Sequence, residues 1–346
     1  MAELCEFLEA CSTKMDGEWD WPSETLDRCA GAGVFAWFHS IEDGGMGWSE
    51  SDLCRGYMKL ARACMTTTFV ITQRVAACRR IAGADDSTLR DRFLPKLMRG
   101  EGFSTIGISH LTTSRRHLDK PVLQAAPIAG GYRLNGMSPW VTGSTRADLF
   151  VIGAELEDGR QILAVVPADV AGIATPTPAN LSALSSSQTG PVEFHDVVVP
   201  HADLIRGPIE DVMQQGTGGA TGGLQTSSLA FGLADAAISY LEAQSQRREN
   251  LALPAQHLRE QWSAETELML KAAAAGTVAD NARIRQHANS LVLRTTQAAL
   301  AAAKGTGYLW GHPAGRWCRE AMFFLVWSCP QEVADANLCE LAQTTP

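Results

Sequence analysis

The sequence contains no long run of basic residues, no CxxC or other zinc-type cysteine pair, and no apolar stretch long enough to cross a bilayer. Each absence removes a class of function. Against 38 Asp and Glu stand 29 Lys and Arg, giving a net charge of −9 and a pI near 5.4. That balance leaves no electrostatic footprint for nucleic acid or an anionic membrane. The cysteine count is odd, nine in 346 residues, and the spacings suit neither zinc nor a disulfide framework, so the thiols read as reduced and the protein as cytoplasmic. The start, Met1 to Thr13, carries Glu3, Glu6 and Glu9 where a secretory leader has a basic region and an unbroken apolar one. No membrane span is expected. The histidines bring no metal: His110 with His117, and His195 with His201, lack the spacing that puts two side chains on one helical face, and no acid cluster accompanies them. A small-molecule partner is the remaining default.

With 45% hydrophobic residues, a chain of this length buries a large core and divides into more than one unit. Residues 1–101 read as helical. Leu53, Tyr57, Leu60, Ala61 and Cys64 recur at helical spacing, with Ser51 and Asp52 as candidate caps, and Gly31-Ala32-Gly33 and Glu42 to Trp48 mark breaks. Residues 102–210 change texture to short Val, Ile, Leu and Phe runs punctuated by Gly and Pro. Leu149 to Ala154, a turn at Glu157 to Arg160 and Gln161 to Val166 read as a hairpin, and Val192 to Pro200 as a later strand. A partly closed antiparallel barrel would hide the edges. Residues 211–346 open on a glycine-rich linker, Gly216 to Gly223, and return to helical periodicity. One stripe runs Leu229, Leu233, Ala236, Tyr240, Leu241. A second runs Ile284, Ala288, Leu291, Thr295, Ala298, Ala299, Ala302 and ends at Lys304-Gly305-Thr306-Gly307, read as a glycine cap. The fold class is therefore α+β: helices, a barrel, then a helical bundle.

The residues at the junctions resemble those of the acyl-CoA dehydrogenase family. The resemblance rests on Glu42-Asp43-Gly44-Gly45-Met46-Gly47; Leu94-Pro95 with Gly100-Glu101; Gly131 to Gly136 followed by Trp140-Val141-Thr142-Gly143 and Ala147-Asp148; Phe194 to Pro200 with Leu204 and Gly207; and Gly305 to Tyr308 with Pro313, Arg316 and Arg319-Glu320-Ala321. They fall in the family's order over most of the chain. The hairpin around Trp140 is the most specific.

The resemblance implies FAD in a groove between barrel and bundle, with Trp140, Val141, Thr142 and Ser144 beside the isoalloxazine ring. An indole offers a broad apolar face, and a threonine hydroxyl a hydrogen bond to the ring's electron-poor edge. Without the motif, the same residues read as a core strand with a packed Trp. The family's second flavin loop falls on Ser109-His110-Leu111 and Ser114-Arg115-Arg116, which keeps hydroxyls at Ser109 and Ser114 but loses its glycine and acid. The two arginines suit an altered anion contact or a solvated basic turn. Arg248 stands near the family's pyrophosphate-binding arginine, with a helix-ending surface role as the alternative.

The family abstracts an α-proton with a glutamate that follows an aromatic residue near the C-terminus. Aligning Trp327 with that aromatic residue puts Ser328 in the glutamate's place, and serine has no useful basicity near neutral pH unless activated. The other family position for the base, within Gly216 to Ser228, holds no acid. Glu332, one turn past Ser328, and His110 are the remaining candidates, against a first-turn helix role for the former and a structural one for the latter. Cys329 would need a lowered pKa. Three functions follow: an FAD-dependent oxidoreductase acting on the CH–CH group of an acyl-CoA, passing electrons to an electron-transfer flavoprotein; a flavin monooxygenase on the same fold, which needs no α-proton base; or a non-catalytic relative that binds a CoA ester or a partner. Family members assemble as homodimers or homotetramers, and the same is expected here.

Overall fold

A computed structural model describes residues 1–112, 122–215, 223–277 and 280–344. The chain opens with α1 (Ala2–Glu18), α2 (Ser23–Gly31), a 3-10 turn at Val34–Phe38, α3 (Glu50–Ala63), α4 (Met65–Ala82) and α5 (Ser87–Met98). The stripe Leu53, Tyr57, Leu60, Ala61, Cys64 is buried, as its spacing predicts. The cap of α3 is Ser49, whose Oγ accepts the Asp52 N–H at 3.2 Å. Ser51 and Asp52 fall inside the first turn, where the Asp52 charge still complements the helix dipole. Helix α4 is buried on nearly every face, and two arginines go in with it, Arg74 and Arg80. Arg74 donates to the Gly102 carbonyl at 2.8 Å and to that of Leu97, with its guanidinium 4.2 Å from the Phe35 ring centroid. A buried cation is tolerated here because carbonyls and a ring face replace its water.

The middle of the chain supplies β1 (Ser104–Gly107), the single turn α6 (Ser109–Thr112), β2 (Leu123–Ile128), β3 (Gly131–Val141), β4 (Leu149–Glu155), β5 (Gln161–Pro167), β6 (Ile173–Ala174), β7 (Gly190–Pro200) and β8 (Leu204–Ile209). The predicted hairpin is present: β4 and β5 pair antiparallel from Leu149↔Pro167 to Glu155↔Gln161. The expected sheet is present too, but it is open where partial closure is expected, and it is mixed where antiparallel pairing is expected. The strands form one open path, β6-β7-β3-β2-β4-β5-β8, and β4 takes both β1 and β2 as parallel partners. Parallel pairing requires both faces of the sheet to be covered, and they are. Phe150, Ile152 and Ala154 of β4 face one apolar cluster with Leu134, Val192 and Phe194, while Val151 joins a second cluster with Ala77, Ile81 and Leu97 of α4 and α5.

The C-terminal part holds α7 (Leu224–Ser245), α8 (Ala252–Ala275), α9 (Asn281–Ala303), α10 (Pro313–Met322) and α11 (Gln331–Ala342). The residue that turns the chain at the end of α9 is Lys304 itself, at φ 56°, and the glycines after it lie in a 3-10 turn at Lys304–Tyr308. The N- and C-terminal helices share one core, in which Leu8, Leu60 and Phe69 meet Phe231, Ala288 and Phe324. That shared core sets α4 against the sheet and α10 against α7 and α9, and the space between the sheet, α4 and the end of α10 is the site. Among the described residues no helix is long and apolar enough to cross a membrane.

Candidate functional site

A cavity of about 730 Å³ opens where α4, the sheet and the segment after α10 meet. Its volume lies within the range of cofactor and substrate pockets. Helix α4 contributes Phe69, Thr72, Gln73, Ala76 and Arg80. The sheet side contributes Ile106, Ile108, Ser109, Trp140, Thr142 and Thr189, and the C-terminal side Gln225, Arg319, Phe323, Val326, Trp327 and Ser328.

The end of β3 turns its indole into this space. The β3–β7 register slips between Ser138 and Val141, and such a bulge re-aims side chains. Trp140 is 50% exposed and lines the cavity, whereas the next residue, Val141, is fully buried in the sheet core. Thr142 is buried, with Oγ1 3.1 Å from Thr189 Oγ1, which is itself 2.9 Å from Ser187 Oγ. The Ser109 hydroxyl is buried without a hydrogen-bond partner among the described residues. A polar atom left so at a cavity wall is suited to a ligand that supplies the missing bond.

On the opposite side, α10 stops at Met322 and the chain passes through a 3-10 turn at Phe323–Leu325. Trp327 stacks on Phe323, centroids 5.2 Å apart at 11°, and meets Phe69 edge-to-face at 5.1 Å. Ser328 follows at φ 47°, an uncommon conformation for a residue with a side chain. The charged groups among the described lining residues are two arginines, and no carboxylate or histidine is among them. Arg319 pairs with Asp16 of α1 and lies 4.4 Å over the Trp310 ring. Burial and the nearby Arg206 push the Arg80 guanidinium down to about 10, so it remains a cation at neutral pH.

The structure thus brings Ser109, Trp140, Thr142 and Ser328 to one cavity. It sends the other sequence candidates elsewhere. Ser144 is buried beside the cavity with its Oγ on the Gln188 carbonyl. His110 turns into the sheet, its Nε2 donating to the Gly153 carbonyl at 2.8 Å, and burial lowers its pKa. Glu332 is exposed in the first turn of α11. Arg248 donates to the Ala302 carbonyl at 2.8 Å and to Gln244 at 3.3 Å. Burial pushes the Cys329 thiol up, away from reactivity. Ser114, Arg115 and Arg116 lie outside the described residues, as does most of the Gly216 to Gly223 linker.

Sequence reasoning missed the wall formed by α4. Threonines and arginines are spread along this helix among its apolar residues, so no pattern in the sequence marks Phe69, Thr72, Gln73, Ala76 and Arg80 as a wall. In the sequence Arg319 stands only as part of a motif, because its reach into the cavity depends on the packing of α10 against α1.

Comparison with known proteins follows the same lines. The family model for the N-terminal domain of acyl-CoA dehydrogenases matches residues 3–101. A probable acyl-CoA dehydrogenase of Bacillus subtilis, YngJ, is 24% identical over 250 residues, which span 69% of this chain and 64% of that relative. The structure of butyryl-CoA dehydrogenase from Megasphaera elsdenii superposes with a TM-score of 0.83 at 19% identity, covering 98% of this chain and 96% of the other. Dibenzothiophene monooxygenase TdsC from Paenibacillus sp. A11-2 superposes with a TM-score of 0.81 at 16% identity, covering 99% and 96%.

Proposed function

We propose, from the premise that this chain belongs to the acyl-CoA dehydrogenase family, that it is a flavin-dependent oxidoreductase acting on the CH–CH group of an acyl thioester. The observation that carries the proposal is the convergence of Trp140, Thr142 and Ser109 on one side of a cavity closed on the other by Phe323, Trp327 and Ser328. These residues fit a flavin ring: Trp140 offers an exposed aromatic face, and Ser109 a hydroxyl with an unmade bond. A bound FAD supplies the two-electron acceptor. The chain's own part is to orient and to exclude water. Phe69, Phe323 and Trp327 form an apolar wall that desolvates the reacting carbons, and Arg80 presents a positive charge to an anionic group of the ligand.

The cavity wall also favours a second reading. No described lining residue is a carboxylate or histidine that could serve as the base for α-proton abstraction, and a flavin monooxygenase needs none. TdsC, a dibenzothiophene monooxygenase, shares the fold.

An anaerobic titration separates the readings. The purified protein is expected to show an oxidised-flavin spectrum, to release FAD on denaturation and to bleach with at least one member of an acyl-CoA panel. A bound flavin that no ester bleaches, but that drives oxygen consumption with a flavin reductase, moves the assignment to the monooxygenase. A colourless protein that takes up neither FAD nor FMN sinks both and leaves a binding relative.

A further inference from the structure

Arg285 is the least expected charge in the molecule. It projects from the first turns of α9 and is only 1% exposed. No carboxylate is within ion-pair distance of it among the described residues. Its Nη2 donates to two backbone carbonyls, that of Phe324 at 3.3 Å and that of Trp327 at 3.0 Å. Asn289, one turn along α9 and fully buried, donates its Nδ2 to the same Phe324 carbonyl at 3.1 Å. The guanidinium carbon lies 5.6 Å from the Phe324 ring centroid. Nε and Nη1 have no hydrogen-bond partner among the described residues.

A buried cation without a counterion is costly, and an apolar side chain of the same volume would serve the core better. What it gains is specific to the segment it touches. Helix α10 has just ended, and the carbonyls that follow have no helical N–H to accept. A cation there satisfies two of them and also meets the negative end of the helix dipole. The span between those carbonyls, Phe324 to Trp327, is the stretch that carries Phe323, Val326, Trp327 and Ser328 into the cavity wall.

We propose that Arg285, seconded by Asn289, is a positioning residue: it latches the segment from Phe323 to Ser328 against α9 and so sets the place of Trp327 and Ser328 in the cavity. It touches neither cofactor nor substrate. The inference rests on the functional reading above only for the importance of that wall; the latch itself is a property of the fold. Lysine in its place keeps the charge but lacks the planar guanidinium whose Nη2 turns both its N–H bonds to the two carbonyls while the group lies by the Phe324 ring.

Hydrogen exchange and flavin titration on the full chain test the idea together. In Arg285→Lys, the amides of Val326 and Trp327 are expected to exchange at least tenfold faster than in the wild type, with the middle of α9 and α7 unchanged. FAD is then expected to bind about tenfold more weakly, with a shifted visible band, at an unaltered circular-dichroism spectrum. A purely structural arginine would alter the melt and leave the band of the bound flavin in place. Should Arg285→Lys fail to fold, Asn289→Leu carries the test, with acceleration confined to residues 323–330. Exchange there at the wild-type rate in the folded variant overturns the latch, whatever the flavin does. A wild type that binds no flavin defeats the functional reading instead, and the exchange data still decide the latch.

Discussion

Ser328 sits at φ 47° on the cavity wall, next to Trp327, and it is here that the family resemblance expects a glutamate. The left-handed conformation penalises any side chain by roughly 1 kcal/mol or more, and serine already bears that cost, so Ser328→Glu adds a carboxylate without adding backbone strain. General-base groups contribute about 10²-fold or more. The variant is therefore expected to bleach with a responsive acyl-CoA about 10²-fold faster than the wild type, with an acid limb in its pH profile. A rate equal to that of the wild type would mean that the α-proton is not presented to this residue. Glu320, on the buried side of α10, makes a separate prediction. Burial pushes its carboxyl up to about 7 from an ordinary 4.5, although the Arg316 guanidinium, with Nε at 3.6 Å, pulls the other way. A raised folded-state pKa means that the native protein holds the proton more tightly than the unfolded chain. Its contribution is complete below about 4.5 and is lost as pH rises through about 7. Glu320→Gln keeps the neutral form at every pH, so it is expected to stabilise the protein at pH 8 by on the order of 2 kcal/mol and to change little at pH 4.5. Chemical denaturation at the two pH values measures the difference. Equal effects at both would mean that the ion pair with Arg316 cancels desolvation, and a loss of stability at pH 8 would place the ion pair in control.

Helix pairs carry the shared core, and a glycine lets two of them approach closely. Gly232 lies mid-way along α7 against α3, and a Cβ there would sit 2.4 Å from the Met58 carbonyl oxygen and 3.0 Å from the Ala61 Cβ. In an exposed helix, Gly→Ala stabilises by ~1 kcal/mol. Here the contact is with backbone that cannot swing aside, so Gly232→Ala is expected to cost roughly 2 kcal/mol instead. Thermal melts check the sign, and a stabilised variant would show that the helices can part freely. At this scale much of the fold was legible in the sequence. The β4–β5 hairpin announced itself through Asp158-Gly159 between two apolar runs, and α3, α7 and α9 through three- and four-residue steps. The parallel partners of β4 were not legible, because β1 and β4 are joined by no tight turn and an apolar run does not state the direction of its neighbour. The cap of α3 and the end of α9 shifted by a few residues for a simpler reason: several adjacent hydroxyls or glycines can do the same job, and only the packing selects among them. The site divides in the same way. Trp140 and Thr142 were found because the hairpin motif carries them, whereas Phe69, Thr72 and Arg80 sit on a helix buried on nearly every face, where no periodicity separates a wall from a core.

At the scale of the whole molecule, the conspicuous surface is the stretch after α9. Tyr308, Leu309 and Trp310 are 88%, 66% and 72% exposed and contiguous in sequence. Contiguous apolar surface of this kind marks an interaction site more often than it marks idle exposure. The patch is also wired to the cavity, since the face of Trp310 lies under Arg319, and Arg319 lines the cavity while pairing with Asp16 of α1. A second copy of the chain seated on Tyr308 to Trp310 would desolvate that arginine pair and stiffen one side of the site. The expected assembly is a homodimer or homotetramer, to be read from light scattering after gel filtration. The double variant Tyr308→Glu with Leu309→Glu puts like charges into the patch and is expected to shift the protein to monomer. Because the second copy then no longer covers Trp310 and the Arg319–Asp16 pair, flavin retention should fall together with assembly. Loss of assembly with full flavin retention would show that the patch joins subunits without shaping the cavity, and an unchanged oligomer would move the interface to another face of the bundle.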